Sequence, residues 1–499
     1  MHSNPMSRRQ FLKLSAALAA SASLPASGSS GTSLNAPSGR QTLFKNAHVI
    51  SMAGNQTPEI SDIWIDGDVI RAIGPNLEAP EAHIIDCSKK IIIPGFVDTH
   101  HHMWQGMFKN IAPNEMLNDY FTRFLVPTSP KMTAEDVLLG NRLSALSALN
   151  AGITQTLDWS HITNSPEHAD AAIEGLRISR TRAVYAFSTS MNFQGPGENP
   201  YPMDIFRLRK EHFSQSDDRL TLALGAMGPE FAGRTAEEAI ENAMAEWNLA
   251  RHPDVNARIS VHTGVGAGGA REPVKRLDQA LKAAGNRGLA DDTTYIHCVR
   301  LSDEELQMII ESGGSMSLAI PIAMQMGMGL PPVERIRQID PNYRYSLSID
   351  VQTNQSGDMF TKMRSLFQLQ RALRTQADPE ACLFTFFQDP DACRDGMITA
   401  RETLAAATIE GARANGLDHI TGSIEVGKQA DLVVLNADTL NVAPMNDPIG
   451  QVVQAMDTSN VETVMVAGEL VKANGQMVGV DVPKLLREAE AARSRILGS

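Results

Sequence analysis

KKIIIPGFVDTHHHMWQGMF, residues 89–108, is the stretch that decides the fold. A run of β-branched residues breaks at Pro94-Gly95, resumes at Phe96-Val97 and ends in His100, His101 and His102. A short apolar run of this kind reads as a strand buried on both faces, as in a parallel sheet. Side chains alternate along a strand, so His100 and His102 share one face at its C-terminal end and His101 takes the other. Two imidazoles at i and i+2 on a rigid strand end suit one metal ion, and a histidine-rich loop is the plainer alternative.

Working outward, short apolar runs alternate with stretches of helical spacing. The runs cover residues 91–99, 152–160, 181–188, 219–227, 257–264, 293–299, 314–320 and 345–351. Between them lie segments such as AEDVLLGNRLSALSALNA and SDEELQMIIESGG, the latter with Ser302 as the expected N-cap. Eight strand–helix repeats over about 260 residues predict an α/β fold, a (β/α)8 TIM barrel with its active site at the strand C-termini.

Both chain ends read differently. TLFKNAHVISM, then ISDIWIDGDVIRAIG turning at Asp66-Gly67, match IEVGKQADLVVLNAD and VETVMVAGELVKANGQ near the C-terminus. Short strands at both ends cannot each bury a face alone, so they are expected to meet in one small β-sandwich domain. The expected domains are 41–90 with 424–480 for the composite sandwich, 91–423 for the barrel and 481–499 for a C-terminal helix.

SRRQFLK (7–13), followed by a short Ala/Ser-rich apolar run and Ala20-Ser21-Ala22, describes an export signal over 1–28 of the twin-arginine type. Residues 29–40 read as a flexible lead-in. This predicts a periplasmic or secreted protein that meets the twin-arginine export machinery. Losing Arg8, Arg9 and Lys13 with no acid takes the net charge from −13 to −16. An acidic chain with dispersed charge argues against nucleic-acid and anionic-membrane partners, leaving a small-molecule substrate and, as an open option, a homo-oligomer. Cys87, Cys298, Cys382 and Cys393 are too few and too scattered for a disulfide framework or a paired-cysteine zinc site. Cys382 with Cys393 is the one pairing left open.

The strand ends carry the chemistry. His262 closes the fifth run, His297 the sixth and Asp350 the eighth. Any one alone reads as a satisfied structural residue; together with His100 and His102 on one rim they form what a divalent metal with imidazole and carboxylate ligands needs. DWSHI places Trp159 and His161 at the second strand end, facing substrate or serving as core and helix cap. The loop after the first strand carries Trp104, Tyr120, Phe121 and Phe124, suited to an apolar ligand or to helix packing. PIAMQMGMG after the seventh run is an adaptable Met-rich lining or simple gap-filling.

PGFVDTHHH, the strand-end His262, His297 and Asp350, and EGARANGLDHITGSIEVGKQADLVVLN closely resemble the amidohydrolase superfamily, in its cytosine-deaminase-like and triazine-hydrolase-like branch. The resemblance runs from residue 42 to 476. It implies one metal held by His100, His102, His262 and Asp350, with Asp350 also taking the proton of the attacking water. It implies that His297 contacts the substrate or the nascent oxyanion. Two departures narrow the expectation. No lysine occurs from residue 211 to 274, where binuclear members carry a bridging carboxylated lysine, so one divalent ion per chain is expected, zinc with iron or manganese as alternatives. Val265 stands where ring deaminases of this branch carry a proton-shuttling glutamate; Glu230 in GPEF is the substitute to consider, as a substrate contact. The expected function is hydrolysis of a non-peptide carbon–nitrogen bond in an amide, cyclic amide or amidine. The alternatives are deamination of an N-heterocycle and a metal-dependent binding protein without catalysis.

Overall fold

At Pro94-Gly95 the chain crosses from one sheet to another. The computed structural model describes residues 41–498 apart from 191–200, 215–218, 234, 267–270, 378, 380–393 and 395, so the export signal, the lead-in and the Cys382–Cys393 question lie outside the described residues. The first strands are β1 (Gln41–Val49), β2 (Glu59–Asp66), β3 (Val69–Gly74), β4 (His83–Asp86) and β5 (Lys90–Pro94). Eight more follow: β6 (Phe96–His101), β7 (Ile153–Ser160), β8 (Arg182–Phe187), β9 (Leu220–Ala226), β10 (Arg258–Thr263), β11 (Thr293–His297), β12 (Ser315–Leu318) and β13 (Ser346–Leu347). The chain closes with β14 (Leu432–Asn436), β15 (Val461–Val466), β16 (Glu469–Ala473) and β17 (Gln476–Met477).

β6 to β13 form one parallel eight-stranded sheet in sequence order. It closes where His101 bridges Asp350, with Asp350 N donating to His100 O and His102 N to Asp350 O, both at 2.8 Å. The expected (β/α)8 barrel is the observed fold. Helices such as Ala134–Asn150, Pro166–Ile178 and Ala236–Ala250 pack around it, and Ser302 caps Asp303–Glu311 by accepting from Glu305 N. Leu157, Trp159, Val184, Ala186, Ala223 and Ile296 fill the lumen, so the barrel is a packed core.

The other strands make a single nine-stranded sheet in which β5 joins the two chain ends, pairing antiparallel with β14 and parallel with β1. The sheet folds over on itself: Ala430 N donates to Asp68 O, and Ile70 N to Lys428 O. Phe44, Ile63, Ile92, Leu432 and Val434 are buried inside the fold.

The strand read over 91–99 is therefore two strands, and only its second half belongs to the barrel. Ile92 faces the inside of the end sheet while Ile91 and Ile93 belong to the core shared with the barrel. Burial on both faces is why the run is continuously apolar. Gly95 makes the crossing: its N–H donates to Asp431 O at 2.9 Å, and a Cβ there would lie 1.9 Å from Thr154 Oγ1. The helix Val482–Leu497 lies at the C-terminus, with Arg495 paired to Asp136. Among the described residues no helix is long and apolar enough to cross a membrane.

Candidate active site

Four strand ends converge on one point. β6 is not a regular strand there: its register against β7 shifts between Asp98 and His101, an irregularity of the kind that re-aims side chains. His100 and His102 both reach the site, whereas His101 turns away, its Nδ1 2.9 Å from Asp98 Oδ2. Asp98 Oδ1 in turn accepts Ile349 N at 2.9 Å and His100 N at 3.3 Å, so this buried carboxylate ties β6 to the segment that carries Asp350. His297 and Asp350 lie in the left-handed region, at φ 71° and 66°. Such backbone costs on the order of 1–3 kcal/mol per residue and persists only where its surroundings over-determine it. For Asp350 the two 2.8 Å bonds to His100 and His102 do so.

The donor atoms fit a metal ion. His262 Nε2 is 3.2 Å from His100 Nε2, and Asp350 Oδ1 lies 3.3 Å from His100 Nε2 and 3.4 Å from His102 Nε2. Zinc–nitrogen bonds of 2.0–2.1 Å at tetrahedral angles give ligand–ligand edges of roughly 3.3–3.4 Å. His102 Nδ1 donates to Trp159 O at 2.8 Å, which leaves Nε2 as the lone-pair atom. Burial, reinforced by the neighbouring imidazoles, holds His100 and His262 well below 6.5; burial takes His102 down to about 4 although Asp350 opposes it. The imidazoles are neutral at pH 7, the state that ligation requires.

His297 Nε2 is 3.8 Å from Asp350 Oδ2, and its Nδ1 is buried with no hydrogen-bond partner. A buried N–H without an acceptor is costly, so the proton belongs on Nε2, facing Asp350. His100 Nδ1 is equally unpartnered, so no hydrogen bond sets its tautomer as one does for His102.

Above this cluster is a cavity whose walls are Leu117, Phe121, Met227, Phe231, Met326 and Met328, with Val265 beside His262. The π-helical turn Tyr120–Leu125 brings Tyr120 and Phe121 to it. Trp159 both fills the lumen and floors the cavity, its Nε1–H spent on Ser260 O at 3.2 Å. His161 lines the cavity, its ring centroid 3.9 Å from that of His102. Trp104 does not: it is wholly buried behind His161, donating Nε1–H to His161 Nδ1 at 3.0 Å. Phe124 packs against Trp104 and Phe108.

Glu230 is also turned away from the cavity. Its carboxylate accepts Gly264 N at 2.7 Å, Gly266 N at 3.2 Å and Val265 N at 3.3 Å, so it pins the loop after β10. Asp358 caps the helix Met359–Ala377 by accepting Thr361 N at 2.7 Å. Sequence reasoning missed Asp98 and its bond to His101, and it missed Leu117, Phe231 and Val351 on the cavity wall. Asp98 sits two residues before His100 in the opening stretch, the one signal that pointed to it.

The fold and site define a hydrolase of the barrel class whose strand-end histidines and aspartate fit a metal ion. Residues 91–471 match the amidohydrolase family, and the chain belongs to it; residues 5–25 match the twin-arginine translocation signal sequence. Membership makes it a metal-dependent enzyme acting on carbon–nitrogen bonds other than peptide bonds. A 5-methylthioadenosine/S-adenosylhomocysteine deaminase of Thermoanaerobacter pseudethanolicus is 26% identical, over 91% of this chain and 99% of the relative. An adenosine deaminase of Xanthomonas campestris with bound zinc superposes with a TM-score of 0.74 at 20% identity, over 92% and 99% of the two chains. Atrazine chlorohydrolase of Arthrobacter aurescens, complexed with zinc, gives 0.74 at 20% identity over 90% and 99%.

Proposed function

We propose that this chain hydrolyses an amide, cyclic amide or amidine bond of a small molecule, using one divalent ion, zinc, held by His100, His102, His262 and Asp350. The grouping of His100, His102 and His262, with Asp350 Oδ1 3.3 Å and 3.4 Å from His100 Nε2 and His102 Nε2, carries the reading. A divalent ion in that cradle supplies Lewis acidity and brings the pKa of a bound water toward neutrality. Asp350 presents Oδ1 to the ligand nitrogens and keeps Oδ2 toward His297, so Oδ2 takes the proton of the attacking water and returns it to the leaving nitrogen. His297 Nε2–H donates to the oxygen on which negative charge develops. The apolar walls exclude competing water, and His161 and Trp159 orient the substrate.

Deamination of an N-heterocycle is the second reading, supported by the names of the curated relatives. It ranks second because the position three residues after His262 is Val265, and both oxygens of Glu230 are engaged by backbone N–H groups. Among the described residues, Asp350 is the one carboxylate lining the cavity. A panel of amides, cyclic imides, amidines and amino-heterocycles separates the two. The expected outcome is hydrolysed amide or ring-opened acid; higher kcat/KM for ammonia release from adenosine, guanine or cytosine contradicts it. The export signal supports a periplasmic location for the folded, metal-loaded enzyme.

A further inference from the structure

The cavity has a polarity of its own, and we infer from it the class of substrate: a neutral molecule with an apolar body whose polar atoms near the scissile bond are hydrogen-bond acceptors, not a ribosyl or other polyol compound. The inference rests on the hydrolytic reading above only for the choice of scissile bond.

Three observations carry it. First, the walls contributed by Leu117, Phe121, Met227, Phe231, Met326 and Met328 are apolar, and no lysine or arginine is among the described residues that line the cavity. Nothing there offsets the charge of a phosphate or a carboxylate distant from the metal cluster, and methionines adapt to irregular apolar shapes. Second, among the described residues that line the cavity, His161 and Tyr120 present donors. An indole nitrogen can only donate, so the 3.0 Å bond from Trp104 Nε1–H makes His161 Nδ1 the acceptor. The His161 proton therefore sits on Nε2, which is free to donate toward the cavity. The Tyr120 oxygen already accepts Gln105 Nε2–H, which leaves its O–H as a second donor. Third, acceptors are few among the described residues that line the cavity, Asp350 being their one carboxylate. Trp159 O takes His102 Nδ1–H, and Asp350 turns Oδ1 to His100 and His102, leaving Oδ2 for the proton of the attacking water.

Sugar hydroxyls must donate as well as accept, and buried in this cavity they would find donors facing them and few acceptors. The two carbonyl oxygens of a cyclic imide, or the oxygen of a simple amide, can accept from His161 Nε2–H and Tyr120 O–H, leaving one or two N–H groups rather than several hydroxyls to be matched. Trp104 is on this view a positioning residue: it sets the tautomer that makes His161 a donor.

Matched probes with one scissile group and different bodies test this on the metal-loaded enzyme. 5-Benzylhydantoin should exceed 5-(hydroxymethyl)hydantoin in kcat/KM by about 100-fold, the difference falling mainly in KM, since body contacts act on ground state and transition state alike. By calorimetry 9-benzyladenine should bind more tightly than adenosine, whether or not either turns over. Phe231→Asn and Met326→Gln should each shrink the hydantoin ratio. Equal or better use of the hydroxymethyl probe, tighter binding of adenosine, or a ratio unchanged in both variants overturns the inference. Efficient deamination of 9-benzyladenine would instead refute the amide reading and leave the apolar, acceptor-bearing substrate standing.

Discussion

His101 is the residue at which the two halves of the reading part. Alternation along the strand takes it out of the proposed metal cluster, and by that logic alone it is a bystander. Its bond to Asp98 makes it structural, because Asp98 holds Ile349 N and His100 N. His101→Ala should keep the metal content near that of the parent yet lower stability by about 2–3 kcal/mol, the scale of a hydrogen bond to a buried charged group. Denaturant unfolding of the metal-loaded variant checks it, and an unchanged midpoint would count against this role. The convergence of the histidines on one rim was legible because strand ends and alternation place them there. Asp98 was not, because its role depends on a register shift and on a strand some 250 residues away.

The same residues set a pH dependence. Burial and mutual repulsion hold His100, His161 and His262 well below 6.5, and burial takes His102 to about 4. In the unfolded chain each titrates near 6.5. Between those values the unfolded chain binds more protons, so stability falls as pH drops through 6.5 toward 4 and is unaffected by these groups above it. Each such group contributes up to about 1.4 kcal/mol per pH unit. Chelator-treated protein should therefore lose several kcal/mol between about pH 7 and about pH 5 in urea titrations. A flat profile over that range contradicts the assignment of neutral, buried imidazoles.

Among the elements, the join of β5 and β6 matters most. An apolar run buried on both faces has no periodicity to betray a change of sheet, so residues 91–99 read as one strand although the signal, Pro94-Gly95, stood in the middle. Gly95 is required by contact, since its Cβ position is already occupied by Thr154. Gly95→Ala should destabilise the protein by about 2 kcal/mol or more through overpacking. It should also displace β6, and with it His100 and His102. Thermal unfolding and metal retention measured together test this; a variant matching the parent in both would show that the close approach relaxes without consequence.

Over the whole molecule, the meeting of both chain ends was legible because neither set of short strands can bury a face by itself. How the end sheet is fastened to the barrel was not legible, because the partners lie far apart in the chain: Arg182 on β8 pairs with Asp431, fully buried, at 2.7 Å and 2.9 Å, 249 residues away. The address is read at this scale too. Replacing Arg8 and Arg9 together by Lys should leave the protein in the cytoplasm, as cell fractionation would reveal; continued export would separate the N-terminal match from its function.

The metal cluster is tested most directly by metal content per chain of the purified parent beside His100→Ala, His102→Ala, His161→Ala and Asp350→Asn. The parent should carry one divalent ion. The two alanine variants at His100 and His102 should lose most of it, because each removes one of only four ligands. His161→Ala should keep it, and Asp350→Asn should keep part of it while losing turnover, since an amide cannot accept the proton of the attacking water. Two tightly held ions per chain, or an ion retained in full without His100 and lost without His161, would contradict the account.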